Sequence, residues 1–301
     1  MIQFQTPVPE DREWVDELFY HSGNRGCEYS FTNLFAWHRV YRQQVARVND
    51  YVVERMTGTA GDSYLYPAGR GDIRPVIEAL EEDARERGGV CRLICVTPTH
   101  MEQLEAIWPG QFAYTEDRFG FDYLYDIDRL ADLGGKKLHA KRNHIHRFED
   151  NCPDWAVEEI TPDNLAECVA MDEEWTRLNR GYEGDESLVD ERDALRLAFA
   201  HYEALKLEGL LLRSGGRVIA FTMGRKMAPD TYDVNFEKAY GEIQGAYAMI
   251  NREFARWVRA KHPNVRYLNR EDDMGVEGLR KAKESYYPDL MVEKHSAVRK
   301  A

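Results

Sequence analysis

A chain of 301 residues is longer than one hydrophobic core usually fills and suits two domains of about 150 residues each. Hydrophobic residues make up 43% of it, yet no uninterrupted apolar run approaches the ~20 residues of a spanning helix, so the chain reads as globular and soluble, with any membrane contact peripheral. A formal charge of -13 repels polyanions at long range and excludes a general nucleic-acid coat, DNA included.

The opening Met1-Ile2-Gln3-Phe4-Gln5-Thr6-Pro7 has neither the basic stretch nor the apolar block of a secretory signal, which points to the cytoplasm. Cys27, Cys91, Cys95, Cys152 and Cys168 form an odd set without Cys-x-x-Cys spacing, so neither a disulfide framework nor a structural zinc site is expected. His144 and His146, set in a basic stretch, read as a solvated face rather than a ligand pair.

In chain order, Trp14, Val15, Leu18 and Phe19 suggest an early helix, and the aromatic density of residues 30–37 suggests buried packing. Apolar stretches at 40–48 and 51–56 flank Asn49-Asp50, the signature of a hairpin, and a short strand follows at 64–66. Gly69-Arg70-Gly71 leads into a helix with Ile73, Val76, Ile77, Leu80 and Ala84 on one face and Gly88-Gly89 as its C-cap. A strand at 90–96, a helix opened by Thr97-Pro98, and strands at 112–115 and 121–127 complete this half. The glycines before the helix make a weak anion-loop signal, and this first module reads as a degenerate support for the second.

The second half repeats the order. Helices are expected at 162–175 and 190–207, then a hairpin of 209–213 and 217–225 around Ser214-Gly215-Gly216. Residues 231–237 alternate, which puts Tyr232, Val234 and Phe236 on one face and Asp233, Asn235 and Glu237 on the other, as in a strand lining a cleft. A glycine loop precedes a helix with Ile243, Tyr247, Ile250, Phe254 and Val258 at helical spacing. A strand at 265–269, a helix carrying Leu279, Ala282 and Tyr286, and a last strand at 290–298 follow. This is the element order of a GNAT acyltransferase module. The expected fold class is therefore α/β with mixed sheets (α+β), as two tandem GNAT-like modules at 1–128 and 151–301, joined by a basic bridging helix at 129–150.

Such a module must hold an acyl donor, deprotonate an acceptor and stabilise an oxyanion. Glu237 at the end of the polar row is the first candidate base, Asp233 the second, and Tyr286 a candidate acid for the leaving group. Gly241, Gln244, Gly245 and Ala246, at or before a helix N-terminus, are candidates for holding the donor's phosphates. Lys136, Lys137, Lys141 and Arg142 form an uninterrupted basic cluster suited to phosphate, with Asn235 as a polar neighbour to the substrate.

The run Lys136-Lys137-Leu138-His139-Ala140-Lys141-Arg142-Asn143 through Arg147-Phe148 resembles the Gly-Lys-Lys, Lys-Arg-Asn and Phe pattern of the phosphatidylglycerol lysyltransferase C-terminal-domain-like family. Tyr29 to Leu34, Tyr64 to Pro67, Phe236 to Gly245, Tyr267 to Asp272 and Gly278 to Lys281 extend the resemblance over nearly the whole chain. It implies a double-GNAT fold akin to Fem-type transferases, an aminoacyl-tRNA donor, and a lipid-linked or other amine- or hydroxyl-bearing acceptor; separately, no tightly bound cofactor is expected, with aminoacyl-tRNA or acyl-CoA as co-substrate. The lipid-modifying members carry a multi-helix membrane region ahead of this domain, and the sequence here holds none. The usual coenzyme A loop of GNAT enzymes ends in glycine or alanine where Lys238-Ala239-Tyr240-Gly241-Glu242-Ile243 has isoleucine. An acyl-CoA-dependent N-acyltransferase and a non-catalytic binding module remain the alternatives.

Overall fold

The computed structural model describes residues 1–58, 61–179 and 186–300. The chain runs α1 (Arg12–Ser22), α2 (Phe31–Trp37), β1 (Gln43–Val48), β2 (Tyr51–Gly58), β3 (Gly61–Leu65), β4 (Ala68–Gly69), α3 (Arg74–Glu86), β5 (Arg92–Val96), α4 (Pro98–Ile107), β6 (Phe112–Glu116) and β7 (Asp122–Asp126). It continues with α5 (Ile127–Asp132), α6 (His139–Asn151), β8 (Ala156–Glu159), α7 (Leu165–Leu178), α8 (Glu186–Ala200), β9 (Glu208–Ser214), β10 (Arg217–Ala228), β11 (Thr231–Ala239), α9 (Ala246–Lys261), β12 (Tyr267–Asn269), α10 (Glu277–Glu284), β13 (Leu290–Val292) and β14 (His295–Arg299).

Two compact units result, and they do not follow the expected linear division. The first comprises residues 1–123, 271–282 and 290–301, and the second 124–270 and 283–289. The C-terminal segment thus returns to the first unit, while the expected bridging helix proves to be two helices, α5 and α6, of the second. Leu133, at φ 49°, breaks them apart.

In the first unit the strand order is β1-β2-β3-β5-β14-β6. The expected hairpin is present, with Val48 opposite Tyr51 and Asn49 at φ 54°, a left-handed conformation that asparagine tolerates. The predicted face of α3 buries Val76, Ile77 and Leu80 completely, at about 1.5–3 kcal/mol each. The expected last strand is instead two, divided at Glu293-Lys294, because the Lys294 side chain turns inward to Glu28 and Asp122. Gly69 does not form an anion loop. A Cβ there would stand 2.0 Å from the Asp50 carbonyl oxygen, and Arg70 pairs with Glu17, so this glycine serves close contact with β2.

In the second unit the order is β7-β12-β11-β10-β9-β8, parallel only between β12 and β11. The β9–β10 turn has Gly215 at φ 60° and Gly216 at φ 73°, as a tight two-residue hairpin requires. Tyr286 lies beyond the end of α10 rather than on its apolar face.

Two features of β11 set up the site. β12 pairs with it only from Thr231 to Asp233, so the two strands part beyond that point. Opposite Gly224, β11 also carries one residue more than β10 between the pairs Arg225↔Asp233 and Met223↔Phe236. This bulge reverses the alternation. Tyr232 packs its ring on Phe254 of α9, and Glu237, an odd number of residues later, also reaches α9 through Asn251. Lys238 points the other way, to Trp175 of α7 and Glu191 of α8. The continuous polar row expected from strict alternation is therefore broken between Asp233 and Glu237.

Candidate active site

Arg270, the first residue after β12, reaches across the gap where β12 and β11 part, and its Nη2 donates to Glu237 Oε1 at 2.8 Å. Asn251 Nδ2 donates to Glu237 Oε2 at 3.4 Å. The guanidinium stands 5.0 Å from the centre of the Tyr286 ring and 5.8 Å from that of Tyr125. Burial opposes its charge, but Glu237 and the two phenols outweigh that and hold the Arg270 pKa above its usual value. Arg270 Nη1 is buried without a hydrogen-bond partner.

Lys141, on α6, places its Nζ 3.9 Å from the centre of the Tyr286 ring. Burial, reinforced by the positive Arg270, lowers its pKa to about 8. In the turn before α6, Lys137 Nζ stands 5.2 Å over Tyr287, so two lysines lean on consecutive tyrosines. Burial raises the Tyr286 pKa to about 12, with Arg270 opposing and Glu237 adding to the rise, which keeps the phenol protonated at neutral pH.

The tyrosine corner is strained. Tyr287 has φ 56°, a region that a bulky side chain rarely enters. Arg129 holds the turn by donating to the carbonyls of Tyr286, at 3.0 Å, and Tyr287, while its Nη1 meets Asp289 Oδ1 at 2.6 Å. The arrangement is thus a partly buried amine of nearly neutral pKa, a protonated phenol, and a guanidinium with an unengaged N–H group.

Residues 21–298 match the family described as phosphatidylglycerol lysyltransferase, C-terminal. The chain belongs to that family. A solved conserved protein of unknown function from Bacteroides thetaiotaomicron is similar over 100% of both chains, at 40% identity and a TM-score of 0.94. L-PGS from Bacillus licheniformis shares the fold at 16% identity and a TM-score of 0.66, over 98% of this chain and 93% of its own. FemX does so at 9% identity and 0.59, over 98% and 97%. No curated protein matches the sequence at a significant level.

This member of the phosphatidylglycerol lysyltransferase C-terminal family has an α/β fold with two mixed sheets, shares that fold with L-PGS and FemX, and is a transferase. Among its described residues no helix is long and apolar enough to cross a membrane.

Of the residues singled out in the sequence, Glu237, Tyr286 and Lys141 come together, and Lys137 joins them at the edge. Glu237 does not face the cleft as an unencumbered base, since Arg270 and Asn251 engage both its oxygens. Asp233 and Asn235 are buried, and Asn235 Nδ2 donates to Asp233 Oδ2 at 2.7 Å, so neither lines an open surface. Arg142 braces the chain before α6: its Nη1 donates to the carbonyls of Leu133 and, at 2.8 Å, Gly135. Lys136 is exposed.

The glycine loop also has a packing role. Gly245 caps α9 at φ 88°, and a Cβ there would stand 2.2 Å from the His144 carbonyl oxygen of α6. Ala246 is buried, whereas Gly241 and Gln244 are exposed, and a Cβ at Gly241 would meet nothing within 4 Å. The sequence reading missed Arg270, Asn251 and Tyr125. Arg270 stood in a motif supporting the family resemblance, and a lone arginine ending an apolar strand was the signal available.

Proposed function

We propose that the second unit transfers an aminoacyl group from aminoacyl-tRNA to an amine- or hydroxyl-bearing acceptor. The observation that carries this reading is the Lys141 amine, its pKa lowered to about 8, standing over the protonated Tyr286 phenol beside Arg270. These groups lie beside the open edge of β11, where acyltransfer needs a base, an acid and an oxyanion donor at once.

In this mechanism the neutral Lys141 amine takes the acceptor's proton as the acceptor's nitrogen or oxygen attacks the ester carbonyl carbon. The oxyanion that forms is met by Arg270 Nη1, and Glu237 holds the guanidinium in place. The tetrahedral intermediate then expels the ribose oxygen, which takes a proton from Tyr286, and the Lys141 ammonium returns its proton to the phenolate. Atoms and charge balance without a covalent enzyme intermediate. A positioned base contributes about 10²–10⁴-fold to such a step, and an oxyanion donor about 10²–10³-fold. The protein supplies no tightly bound cofactor in this reading, and the acyl donor is a co-substrate.

Transfer RNA rather than coenzyme A is favoured by the start of α9, where the His144 carbonyl, itself an acceptor, lies against Gly245 at the place a pyrophosphate would need donors. The exposed Lys136, Lys137 and Arg147 offer a basic face for RNA phosphates. The acceptor belongs to the same proposal: a small or lipid-linked molecule reached at the cytoplasmic side of a membrane or in solution.

The test uses hydroxylamine as a surrogate acceptor and tRNA charged with each of a panel of labelled amino acids. Faster conversion to the hydroxamate than in buffer, lost in Lys141→Met, is the expected result. No acceleration with any charged tRNA, together with acceleration of acyl-CoA aminolysis, would move the assignment to an N-acyltransferase.

A further inference from the structure

We infer that the first unit has a ligand cavity of its own, built for a small organic cation: an aliphatic amine the size of a diamine or a free basic amino acid. The cavity has a volume of about 240 Å³, just below the roughly 300 Å³ at which pockets for drug-sized molecules begin.

Hydrogen bonding indicates what the occupant must bring. Gln43 lines the cavity and is only 7% exposed. Its Nε2 donates to Glu54 Oε2 at 3.4 Å, which leaves Oε1 buried and without a partner. Glu28, also in the lining, has Oε2 in the same condition. Both orphaned atoms are acceptors, and a buried polar atom left unpaired costs about 1–3 kcal/mol. A ligand bearing N–H groups satisfies them, whereas a carboxylate or phosphate does not.

Charge agrees. Glu28, Asp117, Glu271 and Asp272 line the cavity against a single cation, Lys294. That lysine is 2% exposed and already held, with Nζ 2.6 Å from Glu28 Oε1 and 2.7 Å from Asp122 Oδ1. The lining therefore carries more carboxylates than cations. Trp37 and Tyr41, stacked with ring centres 5.7 Å apart, supply an aromatic wall to the same cavity, suited to an ammonium and its aliphatic body.

A metal ion is the wrong occupant. Cys27, Glu28 and Asp122 could present ligand atoms within 4.8 Å of one another, but Lys294 Nζ lies against all three, at 3.7 Å from the sulfur. The ammonium takes the place that the ion would fill.

The inference does not depend on aminoacyl transfer, since every residue it uses lies in the first unit. Calorimetry on the full chain with 1,5-diaminopentane, and with pentanoate as the isosteric anion, tests it. The diamine is expected to bind at least tenfold more tightly than pentanoate, Gln43→Met to weaken it at least tenfold, and Trp37→Phe to remove the fluorescence change that binding causes. Tyr41→Leu, at a position 45% exposed where folding tolerates change, should weaken it severalfold. Binding of pentanoate as tight as that of the diamine, or diamine binding unaltered by both Gln43→Met and Tyr41→Leu, overturns the assignment.

Discussion

Lys141 Nζ lies 3.9 Å from the centre of the Tyr286 ring, and the same ring has the Arg270 guanidinium 5.0 Å from its centre. One phenol thus stands against two cations, of which only the amine can lose its proton near neutrality. The folded-state pKa of Lys141, about 8, is below the unfolded value of about 10.4, so the fold disfavours the charged amine. Below pH 8 both states carry the proton and the penalty is fully present. Between about 8 and 10.4 the unfolded chain binds more protons, and stability rises with pH. Lys141→Met should therefore raise the melting temperature at pH 7 while reducing transfer, a sign opposite to that of a structural lysine, and scanning calorimetry at pH 7 and pH 10 checks it.

The Glu237–Arg270 pair is nearly enclosed, with 10% and 15% of the two side chains exposed. Removing one partner strands a desolvated charge. Glu237→Gln is expected to cost about 3–5 kcal/mol in chemical denaturation, and adding Arg270→Met should recover part of that loss because the uncompensated charge goes with it. Costs that simply add would mean that the pair is not coupled.

Gly245 answers to both geometry and conformation. Alanine there must adopt φ 88° and pushes against the α6 backbone at His144, which carries the turn above Lys141. The left-handed conformation alone costs about 1–2 kcal/mol. Gly245→Ala should lose more than that in urea and also lower kcat, while a glycine acting only on donor phosphates would raise KM and leave stability unchanged.

The basic face divides into braces and contacts. Arg142→Ala, which frees the carbonyls of Leu133 and Gly135, should lower stability and leave the salt dependence of tRNA binding unchanged. Lys136→Ala or Arg147→Ala should do the reverse, reducing the slope of log K against log salt by about 0.7–0.9 each. Filter binding over a salt series separates the two groups.

Much of the fold was legible because it rests on periodicity. The inner face of α3, the helix α9 and both tight hairpins follow from apolar spacing and turn residues, which act locally. The parts that were not legible depend on pairing partners that no local pattern encodes. Residues 290–298 read as one strand, and only the inward Lys294 divides them. The polar row Asp233, Asn235, Glu237 obeyed strict alternation in the sequence, and one extra residue opposite Gly224 undid it. For the site, Glu237, Tyr286 and Lys141 could be nominated by residue type and order, but Arg270 acquires its place only because β12 leaves β11 after three paired residues. The first module read as a degenerate support for the second, with any ligand of its own left open, since its cavity is assembled from segments as distant as Gln43 and Lys294.

The most direct test of the central claim is the pH dependence of single-turnover aminoacyl transfer from charged tRNA to hydroxylamine, corrected for ionisation of hydroxylamine itself. The account predicts a rate that rises with pH to a plateau above an apparent pKa of about 8, and a Lys141→Met enzyme that is slower by about 10²–10⁴-fold and has lost that limb. A limb at the same pKa persisting in Lys141→Met would assign the proton to another group and contradict the account.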